Sequence, residues 1–390
     1  MASSSSDTGD DSKVNLLDLS AAAISSAIVA ADQIIALASG NGDGLDDAGD
    51  ENKKNARLKI DGSFVTDADM AAQQIIVDAL YKVSSGIRII GEENEEEMRK
   101  RAITGHEKKL ESMFELARKE VSMRYQELPC DKLPLSQSKQ GEKDEPVTAK
   151  EDVTEKDSYV AVIDKMQEYE VGTNRVTIWI DPLDATNSYA KGDYGPVSIL
   201  VAIIVDQIPC FGVICKPFGY SGQPLILDTG CMAAYGGTLL GAAYIAGGSR
   251  LQNINQNNQI VITKDLPRAV ISKSRSQGIQ NFVTHMAEKG LVHPDPLLVS
   301  GAGEKSLRII TRFENEGLWF FPSGGTSLWD VAASDALLRA IGGKLTDKYG
   351  NTMDYSKTRK EAENEDGVVA CYDENLHSEC IRLFSEASWE

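Results

Sequence analysis

The sequence predicts a mixed α/β fold, and three observations carry that expectation. Residues 176–180 and 197–204 are apolar, β-branched runs without alternation, the pattern of strands buried on both faces. Residues 14–38, 68–81 and 328–340 place apolar side chains at helical spacing. The two kinds of segment interleave along the chain with no internal repeat, as mixed folds require. A chain of 390 residues, 42% hydrophobic and 25% charged, can bury a sizeable core as one large domain or two medium ones.

Taken in order, residues 1–13 are a Ser- and Asp-rich tail, with neither a basic n-region nor an arginine-rich amphipathic pattern, so no signal or transit peptide is expected. Helix 14–38 follows. Its most apolar part, 21–38, carries Ser25, Ser26, Asp32 and Gln33 and reads as too short and too polar to span a bilayer. Residues 40–51 superficially resemble a calcium loop, but Leu45 and Ala48 stand where oxygen ligands are needed, which leaves a solvated turn. After helix 68–81, a strand at 87–90 ends in Gly91-Glu92-Glu93. Residues 95–127 are charged and helix-prone, and 128–157 form a polar insertion loop. Further strands are expected at 211–214, 269–271, 318–321 and 344–346, and helices at 278–289 and 304–313.

A formal net charge of −19 opposes nucleic acid and anionic membranes. An anionic small molecule would need local Lys, Arg or metal ions. The six cysteines form no C-x-x-C pair and read as reduced thiols, which points to a cytoplasmic protein. The four histidines, His106, His285, His293 and His377, show no zinc spacing.

The strongest local signal is Asp181-Pro182-Leu183-Asp184-Ala185-Thr186. Asp181 ends a strand, Pro182 is expected to stop it, and Thr186-Asn187 can open a helix. Two carboxylates on so tight a turn repel each other, and a hard divalent cation would relieve that repulsion. The helix start adds free N–H groups suited to phosphate. An Asx-turn with a helix cap fits the same residues equally well. Asp69, Glu92, Glu93 and Asp330 also lie at element ends, where ligands gather in such folds.

The chain resembles the lithium-sensitive, magnesium-dependent phosphatases, the inositol monophosphatase-like superfamily. Asp181 to Thr186 match its D-P-[IL]-D-[GAS]-T signature, Gly91-Glu92-Glu93 its G-E-E element, and Trp329-Asp330 its W-D element, with Gly342-Gly343 at the usual distance behind. The similarity runs from about residue 14 to 384, outside the tail and the insertion. Lys59 through Gln73, Gly301 through Lys305 and Gly342 through Asp347 resemble the 3'(2'),5'-bisphosphate nucleotidase branch. Arg275 departs from that branch, which has His there, and inositol polyphosphate 1-phosphatase remains the near alternative.

The resemblance implies a layered αβαβα sandwich, with a metal-binding half at 14–235, carrying the acidic insertion at about 97–157, and a second half at 236–386. It implies Mg2+ as cofactor: Glu92, Asp181 and the Leu183 carbonyl on one ion, Asp181, Asp184 and Asp330 on a second, and Glu93 serving a weaker third through water. Thr186 and Asp69 would form the proton-handling pair. Ala185, Ser272, Arg275, Gly301 and Lys305 would contact substrate. Hydrolysis of 3'-phosphoadenosine 5'-phosphate to AMP, or of inositol 1,4-bisphosphate, by a monomer or homodimer is the implied activity, and lithium would inhibit it.

Two other classes fit less well. Gly301-Ala302-Gly303-Glu304-Lys305-Ser306 looks like a nucleotide-binding loop, but Glu304 breaks the pattern and would oppose phosphate. A silent scaffold would not need every metal-binding and water-activating position filled by a competent residue.

Overall fold

The computed structural model describes residues 12–39, 57–58, 64–94, 96, 98, 104–126, 169–219, 231–246, 252–253, 265–273, 277–312, 314–386 and 389. The turn at 40–51, the motif residues Lys59 to Ser63, the insertion at 128–157 and Arg275 lie outside them.

The first helix starts two residues later than the periodicity suggests. Strand β1 (Lys13–Asn15) is extended, and Asn15 Oδ1 accepts from the N–H groups of Leu17 (2.9 Å) and Asp18 (3.2 Å), capping α1 (Leu16–Ala38). At 23 residues α1 is long and apolar enough to cross a membrane by length and composition, which corrects the expectation that it is too short and too polar. In this fold it is a core helix, buried against its neighbours over most of its length.

The remaining elements follow in order. They are β2 (Arg57–Leu58), β3 (Phe64–Val65), α2 (Asp67–Val83), β4 (Arg88–Gly91), α3 (Glu107–Gln126), β5 (Glu170–Gly172), β6 (Val176–Asp184), α4 (Thr186–Ala190), β7 (Ser198–Val205), β8 (Ile208–Lys216), β9 (Met232–Gly237), β10 (Ala242–Ala246) and β11 (Gln252–Asn253). Then come β12 (Arg268–Ser272), α5 (Gln277–Glu288), β13 (Leu297–Val299), α6 (Ala302–Thr311), β14 (Glu316–Phe321), β15 (Thr326–Ser327), α7 (Leu328–Ala340), β16 (Lys344–Thr346), β17 (Glu363–Asn364), β18 (Val368–Cys371) and α8 (Glu374–Ser385). The helix-prone stretch from 95 has its long helix only from Glu107, and the helix expected to 313 ends at Thr311.

Two sheets form the frame. One has seven strands in the order β11-β10-β9-β8-β7-β6-β4, antiparallel except for the β4–β6 pair. The other has five in the order β13-β12-β14-β18-β16, parallel across its first three strands and antiparallel beyond. Helices α1, α2 and α3 cover the outer face of the larger sheet, α6 and α7 lie between the sheets, and α5 and α8 cover the smaller one. The αβαβα layering is therefore observed.

The central strands show why their sequences do not alternate. Along β7, Ile199, Val201 and Ile203 pack into the outer core, while Leu200, Ala202 and Ile204 pack into the core between the sheets. Helix α7 sits close on β8 because Gly212 has no side chain; a Cβ there would stand 2.4 Å from the Ala333 carbonyl.

Candidate active site

The site lies where strand ends of the larger sheet meet the first turns of α6 and α7. Strand β6 does not stop at Pro182, as expected, but continues to Asp184 with a register break between Asp181 and Asp184. The break is a bulge: Pro182 has no N–H to pair, and skipping it costs the ladder nothing. Asp181 pairs opposite Leu200, and Asp184 regains register opposite Ser198. Ala185 then takes a left-handed backbone (φ 66°), turning the chain into the five-residue helix α4.

Asp181, Asp184 and Asp330 come together, each with a carboxylate oxygen within 4.8 Å of the others. Asp330 arrives from the first turn of α7, where its Oδ2 accepts from Ser327 N–H at 2.6 Å. Asp181 Oδ1 accepts from Leu183 N–H at 3.0 Å. Asp184 is held by three donors: Ser198 Oγ (2.9 Å), Ala302 N–H (3.0 Å) and Gly303 N–H (2.8 Å). The last two belong to the first turn of α6, whose N-terminal dipole favours a carboxylate.

Burial pushes the Asp181 carboxyl well above the usual range, and the neighbouring charges of Glu92, Asp330 and Asp184 push it further. Burial, with the Asp184 charge next, raises Asp330 to about 7. Carboxylates held this close, away from water, repel one another, and each raises the other's pKa. A divalent cation among these oxygens would neutralise that repulsion, and three clustered carboxylates are a donor set that fits a hard metal ion. Glu92 lies outside the 4.8 Å cluster but close enough to raise both carboxyls.

A second group stands beside the acids. Asp69 is fully buried in the first turn of α2, where Oδ2 accepts from Thr66 N–H (2.7 Å) and Thr66 Oγ1 (2.5 Å). Its Oδ1 lies 3.1 Å from Thr186 Oγ1, whose proton can alternatively go to the Leu183 carbonyl at 2.9 Å. Burial raises Asp69 to about 7 against the Thr66 hydrogen bonds, with Glu93 and Glu92 adding to the rise. The Glu92-Glu93 turn is fixed by Gln73, which donates to the Glu93 carbonyl and accepts from the Glu93 N–H, both at 2.8 Å. Gly91 is required there, since a Cβ would stand 2.5 Å from the Gln73 amide.

Of the residues expected at the substrate, Lys305 is buried, with Nζ 5.5 Å above the Trp319 ring and 5.9 Å above that of Phe321. Burial lowers its pKa, and Asp184 and Asp330 oppose that. Gly301 (φ 78°) abuts Asp184; an added Cβ would lie 3.0 Å from Asp184 Oδ2. Ser272 is buried at the end of β12.

Glu304, which breaks the nucleotide-loop pattern, points into the protein. It pairs with the fully buried Lys216 (2.8 Å) and with Arg308 (3.0 Å), which continues to Glu316 (2.8 Å). The amides of this segment hold Asp184, so the nucleotide-loop reading has no phosphate seat left. Sequence reasoning missed Thr66, Gln73, Ser198 and Lys216. Thr66 was visible as the T-x-x-D cap of α2 and Gln73 as the last residue of the nucleotidase-like motif; Ser198 and Lys216 sit in runs where nothing local marks them.

The layered fold, its carboxylate-lined centre and the named phosphatases and nucleotidases among its relatives make this chain a hydrolase of phosphate monoesters. The chain belongs to the inositol monophosphatase family, whose sequence model matches residues 126–388. A Dictyostelium discoideum protein named 3'(2'),5'-bisphosphate nucleotidase 1 is 27% identical over 361 residues, covering 91% of this chain and 93% of that one. The mouse protein of the same name is 32% identical over 198 residues, half of this chain and 57% of the mouse protein. Among solved structures, CysQ from Bacteroides thetaiotaomicron, described as a bacterial member of the inositol monophosphatase family, shares the fold. It has a TM-score of 0.50 at 16% identity and covers 90% of this chain and 96% of its own. The family uses divalent metal ions, and the acidic cluster is present here.

Proposed function

We propose that this phosphatase is a magnesium-dependent, lithium-sensitive 3'(2'),5'-bisphosphate nucleotidase that converts 3'-phosphoadenosine 5'-phosphate to AMP in the cytoplasm. The observation that carries the metal part is the convergence of Asp181, Asp184 and Asp330, three acids whose charges need a cation. Glu92, Asp181, the Leu183 carbonyl, Asp184 and Asp330 would hold two ions, and Glu93 would serve a third. A magnesium ion held by these residues would lower the pKa of a bound water and offer positive charge where the ester oxygen departs.

The chain's own residues handle the proton and the substrate. Thr186 Oγ1 donates to Asp69 Oδ1, which leaves a lone pair of Oγ1 to accept a hydrogen bond from the attacking water; as the water's proton passes to Oγ1, the hydroxyl proton passes to the ionised Asp69 carboxylate. The Thr66 cap holds Asp69 in that orientation. Lys305, buried and facing the acids, supplies positive charge for a phosphate oxygen. Ser272 and Arg275 would grip the remainder of the substrate, with Ala185 and Gly301 shaping the approach.

The substrate assignment rests on the nucleotidase-named relatives and on the nucleotidase-like motifs. Arg275, standing where that branch has His, favours inositol 1,4-bisphosphate as the second reading. Phosphate release from both substrates at equal concentration, with magnesium and with or without lithium, tests this. Faster turnover of the nucleotide, abolished by chelation and reduced by lithium, is expected. A preference for the inositol bisphosphate would overturn the nucleotidase reading. Arg275→Ala is expected to raise KM more than it lowers kcat.

A further inference from the structure

Residues 354–364 run from one side of the acid site to the other. At one end, Arg359 donates through Nε to the carbonyls of Gly91 and Glu92, each at 3.1 Å, and through Nη2 to the Glu92 carbonyl again. Arg88, on the strand that leads to Glu92, reciprocates by donating to the carbonyls of Ser356 (3.3 Å) and Lys357 (2.9 Å). The two arginines clasp the turn bearing Glu92 to the loop.

The other end of the segment builds the start of α7. Ala362 accepts from Leu328 N–H at 2.9 Å, and β17 pairs with β15 so that Asn364 lies opposite Thr326 and Glu363 opposite Ser327. Asn364 Nδ2 also reaches Thr326 Oγ1 at 3.3 Å. Ser327 is the residue whose N–H orients Asp330. A short turn at Arg359–Glu361, closed by Thr358 Oγ1 donating to Glu361 Oε2 at 2.7 Å, joins the two ends.

We propose that this segment is a tie that sets the separation between Glu92 and Asp330, with Arg359 as its positioning residue. The guanidinium fork grips two successive carbonyls, so it fixes the direction of the peptide from which the Glu92 side chain springs. Glu92 is the acid left outside the close cluster, so its approach to Asp181 and Asp330 is the distance the tie controls. Both arginines are exposed, and exposed polar contacts contribute little to global stability. Their effect therefore falls on the local geometry of the acids. The inference rests on the metal-dependent reading of the site.

The test is Mn2+ binding to substrate-free protein, followed by the electron paramagnetic resonance of free Mn2+, with thermal melting of metal-free protein alongside. Arg359→Ala is expected to weaken Mn2+ binding about tenfold, the scale seen when a residue orienting a ligand is lost. Its melting temperature should stay within about 2 °C. Arg359→Lys, which keeps the charge but loses the fork, should recover part of the affinity. Unchanged Mn2+ affinity in Arg359→Ala would overturn the tie, as would a lowered melting temperature with affinity intact. Wild-type protein that binds no Mn2+ would instead overturn the metal-dependent reading, and the tie's purpose with it.

Discussion

Thr66-Asp67-Ala68-Asp69 and Ser327-Leu328-Trp329-Asp330 carry one local device in two parts of the molecule. In each, a hydroxyl residue precedes a helix and an aspartate three positions on turns back to accept its backbone N–H, at 2.7 Å from Thr66 and 2.6 Å from Ser327. In each, burial raises the aspartate to about 7. What differs is the neighbour. Asp69 meets a hydroxyl, Thr186, and Asp330 meets two carboxylates, Asp181 and Asp184. The same cap therefore sets a candidate proton-handling residue in one place and a candidate metal ligand in the other, and the packing of the elements decides which.

The largest expected effect separates the two. Asp330→Asn removes a proposed ligand and should lower kcat on the order of 10³-fold, since a lost metal contact forfeits several kcal/mol of charge stabilisation. Metal-free Asp330→Asn should fold as well as wild type or better, because it relieves the repulsion among the acids. Near-normal magnesium-dependent turnover in this variant would remove Asp330 from the metal centre. Asp69→Asn should cost less, about 10²-fold in kcat, with Mn2+ affinity nearly unchanged. The double variant with Thr186→Val should be no worse than either single one if the pair acts as a unit. Full additivity would break the pairing.

The shared pKa rise makes a prediction about stability with a definite sign. Both aspartates hold their protons in the folded, metal-free chain up to about pH 7 but lose them near 3.8 when unfolded. Metal-free protein should therefore lose stability as pH rises from about 4 to about 7, by at most about 4 kcal/mol per group. His377, lowered to about 4 by burial, has the opposite slope between about 4 and 6.5. Denaturant melts of wild type and Asp330→Asn in chelator isolate the aspartate contribution as their difference at each pH. A difference that does not change with pH would show that Asp330 is ionised in the absence of metal. The smallest effect is expected from deleting residues 131–157, outside both caps. Turnover should remain measurable, and complete loss with the fold intact would assign the insertion a part in shaping the site.

Much of the site was legible because its residues sit in short contiguous motifs. Asp181 to Thr186 mark a strand end followed by a helix start, although the bulge that carries the strand past Pro182 to Asp184 was not foreseen, and the T-x-x-D and S-x-x-D caps announce two helix starts. Strands β9 and β18 and helix α8 were not anticipated. Met232 to Gly237 are two alanines and two glycines with Met232 and Tyr235 as the large side chains, so neither alternation nor a β-branched run marks the strand. Ser198 and Lys216 lie within or at the end of apolar strands, and nothing local marks them as partners of Asp184 and Glu304.

By itself the sequence determined the class of fold, the acids at the ends of its elements and the family to which they belong. These are consequences of local pattern: a strand, a cap or a bulge depends on residues a few positions apart. Which acids become neighbours was decided only when two sheets closed around α6 and α7, bringing residues 118 and 119 positions apart, Asp184 with Ala302 and Gly303, into hydrogen-bond contact. Charge repulsion, burial and the raised pKa values of Asp181 and Asp330 are properties of that closure, because electrostatic interactions follow distance in space and exclusion of water, not order along the chain.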